Sequence, residues 1–354
     1  MRRNDSTLLP SYIGGKAYQI RGLSAIADKT CDILVEPFCG SAAFTMATPI
    51  CRYQKFIIND MNSNITYLYE AMRRESTRDR MVEELMKVRK SDDEIVARYL
   101  FDNAKKQLLP TGQVDISQVE DNELIRVGVN TYIAYTQSFN SNSKNYRRQI
   151  SELQYKRESA ARIKNAHEKF KGLQSKLHIT CTDGIKLIKK FKNCQNVQMY
   201  LDPPYVGLYR LCNNLYRHEM PLLIEHIKLA LELNDAKCAV ILSGYRSQDS
   251  NIPTIYDALL TGEEWKCFKL CDTYKKCKNP KHGESKERCS EYIWTNRVPT
   301  YAELDLSMKN YKEDLSFDDY WRKIAERCKL GKLPKKDIKE YRLTYQQLYG
   351  KELY

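Results

Sequence analysis

The chain has 354 residues, enough for one large domain with an insertion or for two to three small ones, and enough to bury a sizeable core. Its net charge of +13 favours a polyanionic partner such as nucleic acid. No apolar run approaches a membrane span, and the charged start Met1-Arg2-Arg3-Asn4-Asp5 lacks the apolar stretch of a signal peptide, so an intracellular protein with no membrane partner is expected. The 12 cysteines are scattered, which fits reduced thiols in a cytoplasm better than a disulfide framework. Their densest set, Cys267, Cys271, Cys277 and Cys289 with His282, matches no paired zinc spacing, so no metal is expected.

In chain order the first signal is Tyr12-Ile13-Gly14-Gly15-Lys16. It reads either as a plain turn or as a site where the backbone comes close to a ligand and Lys16 meets a carboxylate or phosphate. Residues 17–29 have a helical pattern, with Ile20, Leu23, Ile26 and Ala27 on one face. Ile33-Leu34-Val35-Glu36 reads as a first parallel strand running into Pro37-Phe38-Cys39-Gly40-Ser41-Ala42. Small residues between a buried strand and a helix make the tight turn on which a nucleoside cofactor lies. The G-x-G-x-x-G pyrophosphate fingerprint is absent, which disfavours a dinucleotide. A second strand, Lys55–Asn59, ends at Asp60, about 20 residues past the glycine turn, where an acid typically binds ribose hydroxyls.

Residues 64–170 are charged and mostly helical in pattern, with candidate helices at Ile65–Met72, Met81–Val88, Glu94–Leu108 and Ser151–Phe170. Between them, Tyr132 to Arg148 has an Asn/Ser-rich centre flanked by aromatic and basic side chains. It reads as a loop or hairpin tip that either touches bases and phosphates through Asn140, Lys144, Arg147 and Arg148 or is a solvated surface loop. Leu177–Asp183 is a third strand with Asp183 at its end, and Val197–Leu201 a fourth.

The fourth strand runs into Asp202-Pro203-Pro204-Tyr205, at the strand end where open α/β sheets bind ligands. Asp-Pro-Pro can be an ordinary turn. It also suits methylation of an aromatic amine, whose lone pair is delocalised into the ring. A carboxylate and a backbone carbonyl that accept the two N–H bonds pull the nitrogen toward tetrahedral geometry and free that pair. Asp202 supplies the carboxylate, and Pro203 and Pro204 stiffen the loop and leave carbonyls free. Tyr205 offers a ring on which an extruded base can stack. Met220–Leu233 is an amphipathic helix, Cys238–Tyr245 a fifth strand, and Trp265–Asp272 and Ser290–Trp294 two closing strands that suit an antiparallel pair. The basic stretch between those two is a loop that either touches phosphates or is solvated. From Val298 the pattern changes to charged helices broken at Pro334.

Four of these segments, Tyr12–Lys16, Glu36–Ala42, Asn59–Asn62 and Asp202–Tyr205, resemble in order and spacing the motifs of the Dam-type (D12 class) adenine-specific DNA methyltransferases, and Glu291–Asn296 resembles a late strand of that family. Tyr12 stands where the family often has Trp, and Ala42 where it has the second glycine of the turn. The resemblance implies an α/β fold: a Rossmann-like, mostly parallel, seven-stranded sheet with one antiparallel strand. It divides the chain into a catalytic domain (1–63 and 175–297), an inserted helical target-recognition domain (64–174) and an accessory basic helical tail (298–354).

It also implies S-adenosylmethionine as methyl donor, flanked by Tyr12 and Lys16, cradled near Glu36, Phe38 and Gly40, held at its ribose by Asp60, approached by Asp183 at its adenine and met by Asp202. The implied activity is site-specific N6-methylation of an adenine flipped out of double-stranded DNA. A cognate restriction endonuclease is a partner the resemblance admits, and a prokaryotic or phage-encoded protein acting in the cytoplasm is the setting it suggests. Cytosine N4 offers an equivalent amine, and a silent DNA-binding subunit with the same fold is the reading from a different class.

Overall fold

The strands Ile33–Glu36 (β1), Lys55–Asn59 (β2), Val197–Leu201 (β4) and Ala239–Tyr245 (β5) are nearly continuous runs of buried residues, so both faces of the sheet they form require cover. The computed structural model describes residues 7–9, 16, 19–87, 94–138, 141–147, 152–209, 217–246, 254–274, 288–297 and 316–353. With Leu177–Thr180 (β3), Lys266–Tyr274 (β6) and Arg288–Thr295 (β7) these strands make a seven-stranded sheet of order β3-β2-β1-β4-β5-β7-β6. β3, β2, β1, β4 and β5 pair in parallel, and β7 runs antiparallel to both β5 and β6.

Alternation along each strand sends neighbours to opposite faces. Leu34, Phe56, Ile58, Tyr200 and Ile241 enter one core, covered by helices Ile20–Ile26 (α1), Ala43–Ala47 (α2), Ser63–Arg73 (α3), Glu75–Lys87 (α4), Asp121–Thr136 (α6) and Glu152–Leu173 (α7). Val35, Ile57, Met199, Leu201, Val240 and Leu242 enter the other, under Gly184–Phe191 (α8), Leu223–Asn234 (α9), Ile255–Leu259 (α10), Phe317–Lys329 (α11) and Lys335–Tyr349 (α12). Each fully buried Leu, Ile or Phe contributes about 1.5–3 kcal/mol. The helix Glu94–Lys106 (α5) packs at the periphery, on α6.

The inserted helices are not a separate body in packing terms. Every residue of α3 from Ser63 to Met72 is buried, and α3 and α7 share the first core with β1 and β2. The stretch from Tyr132 corrects the sequence expectation: Tyr132–Thr136 is the last turn of α6, with Tyr132 and Tyr135 buried, and the loop begins only beyond it. That loop is closed by a bridge between Ser138 and Tyr146 and by the Arg147 amide donating to the Gln137 carbonyl at 2.8 Å. α6 shows weak amphipathic patterning because it is enclosed on several sides, by α3, α4 and α5.

The charged C-terminal segment holds aromatic residues that the sheet's second face uses. Tyr320 and Trp321 of α11 and Tyr341 of α12 are buried, Trp321 stands edge-on to Tyr341 and Tyr345, and the Leu223 amide donates to Glu340 at 2.9 Å. Pro334 sits at the N-terminal boundary of α12, where its missing N–H costs nothing. The expected accessory tail therefore covers the second face of the sheet from residue 316 onward. Trp321→Ala should destabilise the whole protein by about 3–5 kcal/mol, read as a single shifted transition in thermal or denaturant unfolding. An unchanged midpoint would show that the tail packs independently.

Candidate active site

Strand order reverses between β1 and β4, and their register places Val35 opposite Met199. The loops after Glu36 and Leu201 therefore leave side by side, the position at which open α/β sheets bind ligands. A cavity of about 400 Å³ opens there. Its walls include Glu36, Asp60, Asp183 and Asp202, four acids from the ends of four different strands.

Each acid is set by its own local bonds. The β1–α2 turn is tight: Gly40 and Ala42 both have positive φ, 45° and 49°. Gly40 donates its amide to Asp60 Oδ2 at 2.9 Å, and Asn62 donates to Asp60 Oδ1 at 2.8 Å. Burial pushes the Asp60 carboxyl up, against those two amides. Glu36 accepts the Thr45 amide in the first turn of α2 at 2.7 Å. Burial raises its carboxyl to about 7, against the bond to Thr45 and with a further push from Asp202. Asp183 caps α8 by accepting the Ile185 amide at 2.8 Å, and Phe38 lies so close to Gly184 that a Cβ there would meet its ring at 2.5 Å.

Asn59 fastens this rim together. Its amide donates to the Pro37 and Thr182 carbonyls at 2.8 and 2.9 Å, and its oxygen accepts from Thr180 Oγ1 and the Thr182 amide at 2.8 and 3.0 Å. All its hydrogen-bonding capacity is used inside the protein, so it ties the ends of β1, β2 and β3.

Asp202 ends β4 and is engaged by Lys16, whose Nζ lies 2.9 Å from Asp202 Oδ1 and 2.7 Å from Glu291 Oε1. Lys16 also donates to the Tyr205 hydroxyl, which in turn donates to Glu291. Burial raises the Asp202 carboxyl to about 6; Lys16 pulls it down and Glu291 pushes it further up. Burial alone would lower the Lys16 ammonium, but the two carboxylates hold it above its ordinary value.

Among the sequence-predicted residues, Lys16, Glu36, Phe38, Gly40, Asp60, Asp183, Asp202 and Pro204 come together on the cavity wall. Pro203 is buried beside them. Tyr205 is buried behind the wall, its ring 4.4 Å centre to centre from Tyr245 in an edge-on contact, rather than displayed to the cavity. Tyr12, Asn140, Arg148 and the basic stretch 275–287 lie outside the described residues. Lys144 and Arg147 lie on the loop after α6, away from the cavity wall: Arg147 is exposed, and the Lys144 carbonyl accepts from Lys105 Nζ at 2.7 Å.

Sequence reasoning missed Glu291, Asn59 and the wall formed by His218, Met220, Glu225 and Lys228 before and within α9. Asn59 stood out only as the polar end of an apolar run, and Glu291 carried no local signal, because β7 is polar over its first half.

Glu36 confers a pH dependence on stability. Its folded value of about 7 lies above the ordinary 4.5, so the folded protein holds a proton there that the unfolded chain releases. Stability from this group is complete below about pH 4.5 and falls as pH rises to 7, by no more than about 3 kcal/mol. Glu36→Gln should flatten that part of the stability–pH curve, measured by denaturant unfolding at fixed pH values. An equal slope in both proteins would exclude Glu36 as its source.

The family model described as D12 class N6 adenine-specific DNA methyltransferase matches residues 12–247, a span that runs from the Lys16 segment past β5 and includes the four strand-end acids of the cavity. No curated protein matches the chain in sequence. The matched span covers well over half of the chain, and the rim built by β1, β2, β3 and β4 falls inside it: the chain belongs to the D12 class N6 adenine-specific DNA methyltransferases.

Proposed function

We propose that the cavity binds S-adenosylmethionine and that Asp202 receives the N6 amine of an adenine everted from double-stranded DNA at a specific site. The observation that carries this reading is the Asp202 carboxylate, fixed at the C-terminal end of β4 on the wall of a cavity with three other acids from strand ends. The residues present suit the donor. The volume of about 400 Å³ falls within the range of small-ligand sites. The acidic lining favours a cation, and the positive φ of Gly40 lets the backbone approach a ligand without a Cβ in the way. When bound, S-adenosylmethionine supplies an electrophilic methyl group on a positive sulfur.

In this reading Asp60 holds ribose hydroxyls, the Phe38–Gly40 backbone and Glu36 line the donor, Asp183 approaches its adenine, and Tyr12 and Lys16 flank it. Asp202 accepts one N–H of the target amine and a loop carbonyl of the Pro203–Pro204 pair accepts the other, which fixes the direction of the nitrogen lone pair. With its carboxyl raised to about 6, Asp202 is also matched to take the proton that the nitrogen sheds near neutral pH. Stacking of the base on Tyr205 requires the ring to leave its place against Tyr245.

For DNA recognition the reading uses the insertion between β2 and β3. Asn62 Nδ2 donates to the Tyr135 hydroxyl at 2.7 Å, so one bond joins the Asp60 loop to the last turn of α6, ahead of the loop that carries Lys144 and Arg147. Contacts of that loop with DNA would thereby be tied to the donor site.

Two tests address these assignments. Asp202→Ala should lower adenine methylation by on the order of 10³-fold or more while donor binding, measured by calorimetry, persists. Chromatography of nucleosides from DNA treated with the wild type should show N6-methyladenine; N4-methylcytosine as sole product, no methylated base, or full turnover by the Asp202 variant would overturn the reading. Lys144→Ala with Arg147→Ala should weaken DNA binding and reduce its salt slope by about one unit per phosphate contact removed, with donor affinity unchanged. DNA affinity equal to wild type at every salt concentration would exclude the loop as the DNA reader.

A further inference from the structure

Lys16 is bound by two carboxylates, and only one of them faces the cavity. Asp202 lies on the cavity wall with 18% of its side chain exposed, whereas Glu291 on β7 is set behind Lys16 with 5%. Glu291 is also the more firmly held. Its Oε1 accepts from Lys16 and from the Tyr205 hydroxyl, and its Oε2 accepts from Gln19 Nε2 at 2.9 Å. These groups come from distant parts of the chain and meet because β7 is inserted between β5 and β6.

We propose that Glu291 is a positioning residue for methyl transfer: it is the fixed counter-ion of Lys16, and by keeping that ammonium paired it releases Asp202 to bind the target amine. The inference rests on the reading of Asp202 as the amine-binding carboxylate. Lys16 occupies an oxygen of the carboxylate that the substrate needs. When the adenine amine donates to Asp202, the ammonium must give up part of that partner while it stays buried. Removing one partner of a buried ion pair is strongly unfavourable because it leaves an uncompensated charge. With Glu291 2.7 Å away, Lys16 keeps a full counter-charge throughout. Tyr205 donates to the same Glu291 oxygen as Lys16 and Gln19 to the other, so the carboxylate is held at both oxygens and does not follow Asp202 toward the cavity.

The charge of Glu291 leaves a second signature. Burial sets the Asp202 carboxyl high. Of the groups that face it, Lys16 and Tyr205 pull it down, Glu291 pushes it up, and Glu36 on the neighbouring strand is a further acid of the same wall. Removing the Glu291 charge lets the Asp202 carboxyl fall.

The experiment compares wild type, Asp202→Ala, Glu291→Gln, Glu291→Asp and Gln19→Ala at saturating donor and DNA, with donor affinity measured separately by calorimetry. Glu291→Gln should lower kcat at least tenfold, keep the S-adenosylmethionine Kd within threefold, and move the acid limb of the kcat profile to lower pH. Glu291→Asp keeps the charge and should keep the wild-type acid limb with an intermediate kcat. Gln19→Ala, which loosens Glu291 without touching its charge, should lower kcat several-fold and tests the idea even where Glu291→Gln does not fold. A donor-binding Glu291→Gln with wild-type kcat, an unmoved acid limb, or a Gln19→Ala protein of unaltered kcat overturns the role of Glu291. A wild type that makes no N6-methyladenine, or an active Asp202→Ala, breaks the underlying reading, so the two failures are distinguishable.

Discussion

The constraint on which the site depends is a buried ammonium. Lys16 is 3% exposed, and a cation so far from water persists only with counter-charge and hydrogen bonds in place. Asp202, Glu291 and the Tyr205 hydroxyl supply them. None of these groups is near Lys16 in sequence, so the cluster exists only when β4 and β7 hold their places and the segment before α1 reaches the sheet rim. Folding and the geometry of the Asp202 carboxylate are thus linked: Asp202 is aimed by the ion that also joins Lys16 to Glu291 of β7.

Electrostatics of opposite sign are separated by scale. The whole chain carries +13, which suits a polyanion at the surface, yet the cavity gathers carboxylates from four strand ends. Topology explains the second fact. The parallel strands deliver their exit loops to one rim, and acids there are kept by helix N-termini and turn amides: Thr45 for Glu36, Ile185 for Asp183, Gly40 and Asn62 for Asp60. Asp202 differs in having a lysine as partner instead of backbone. It is held by a group that can exchange, while the other three are anchored by amides that cannot move away.

This difference also explains what the sequence shows and what it hides. Lys16, Asp60, Asp183 and Asp202 are legible because each ends or precedes an element whose period is clear, and strand ends are where ligand groups concentrate. The strands themselves are legible from their apolar runs, and the last two read from the sequence as a closing antiparallel pair. Glu291 is hidden because its partners are set by sheet order, and no local pattern states that β7 lies next to β5. The ring of Tyr205 reads as open for stacking because aromatic side chains in loops are open by default; the structure gives its hydroxyl two buried partners instead. The end of α6 reads as loop because its Asn/Ser-rich neighbour dominates the composition, and because a helix enclosed by other helices has no polar face to mark its period. The charge of the C-terminal helices masks the Tyr320, Trp321 and Tyr341 side chains that make them part of the core.

Ala42 shows how far the rim tolerates departure from its own rules. An L-residue with φ of 49° is in the left-handed region, at a cost of roughly 1–2 kcal/mol relative to right-handed backbone. The residue is fully buried, so its methyl group contributes about 0.8 kcal/mol in the other direction. Its amide donates to the Cys39 carbonyl at 2.6 Å and its carbonyl accepts from Met46 at 2.8 Å, so the same residue closes the turn and opens α2. The near balance of the two energies explains why alanine can occupy the position, and the steric cause of the first explains why a β-branched residue cannot. Gly40 stands differently: its amide reaches Asp60 while its backbone lines the cavity, where no core packing offsets the cost of a side chain at positive φ. The turn therefore places its conformational freedom at Gly40, next to the site, and accepts strain at Ala42, where packing can offset it.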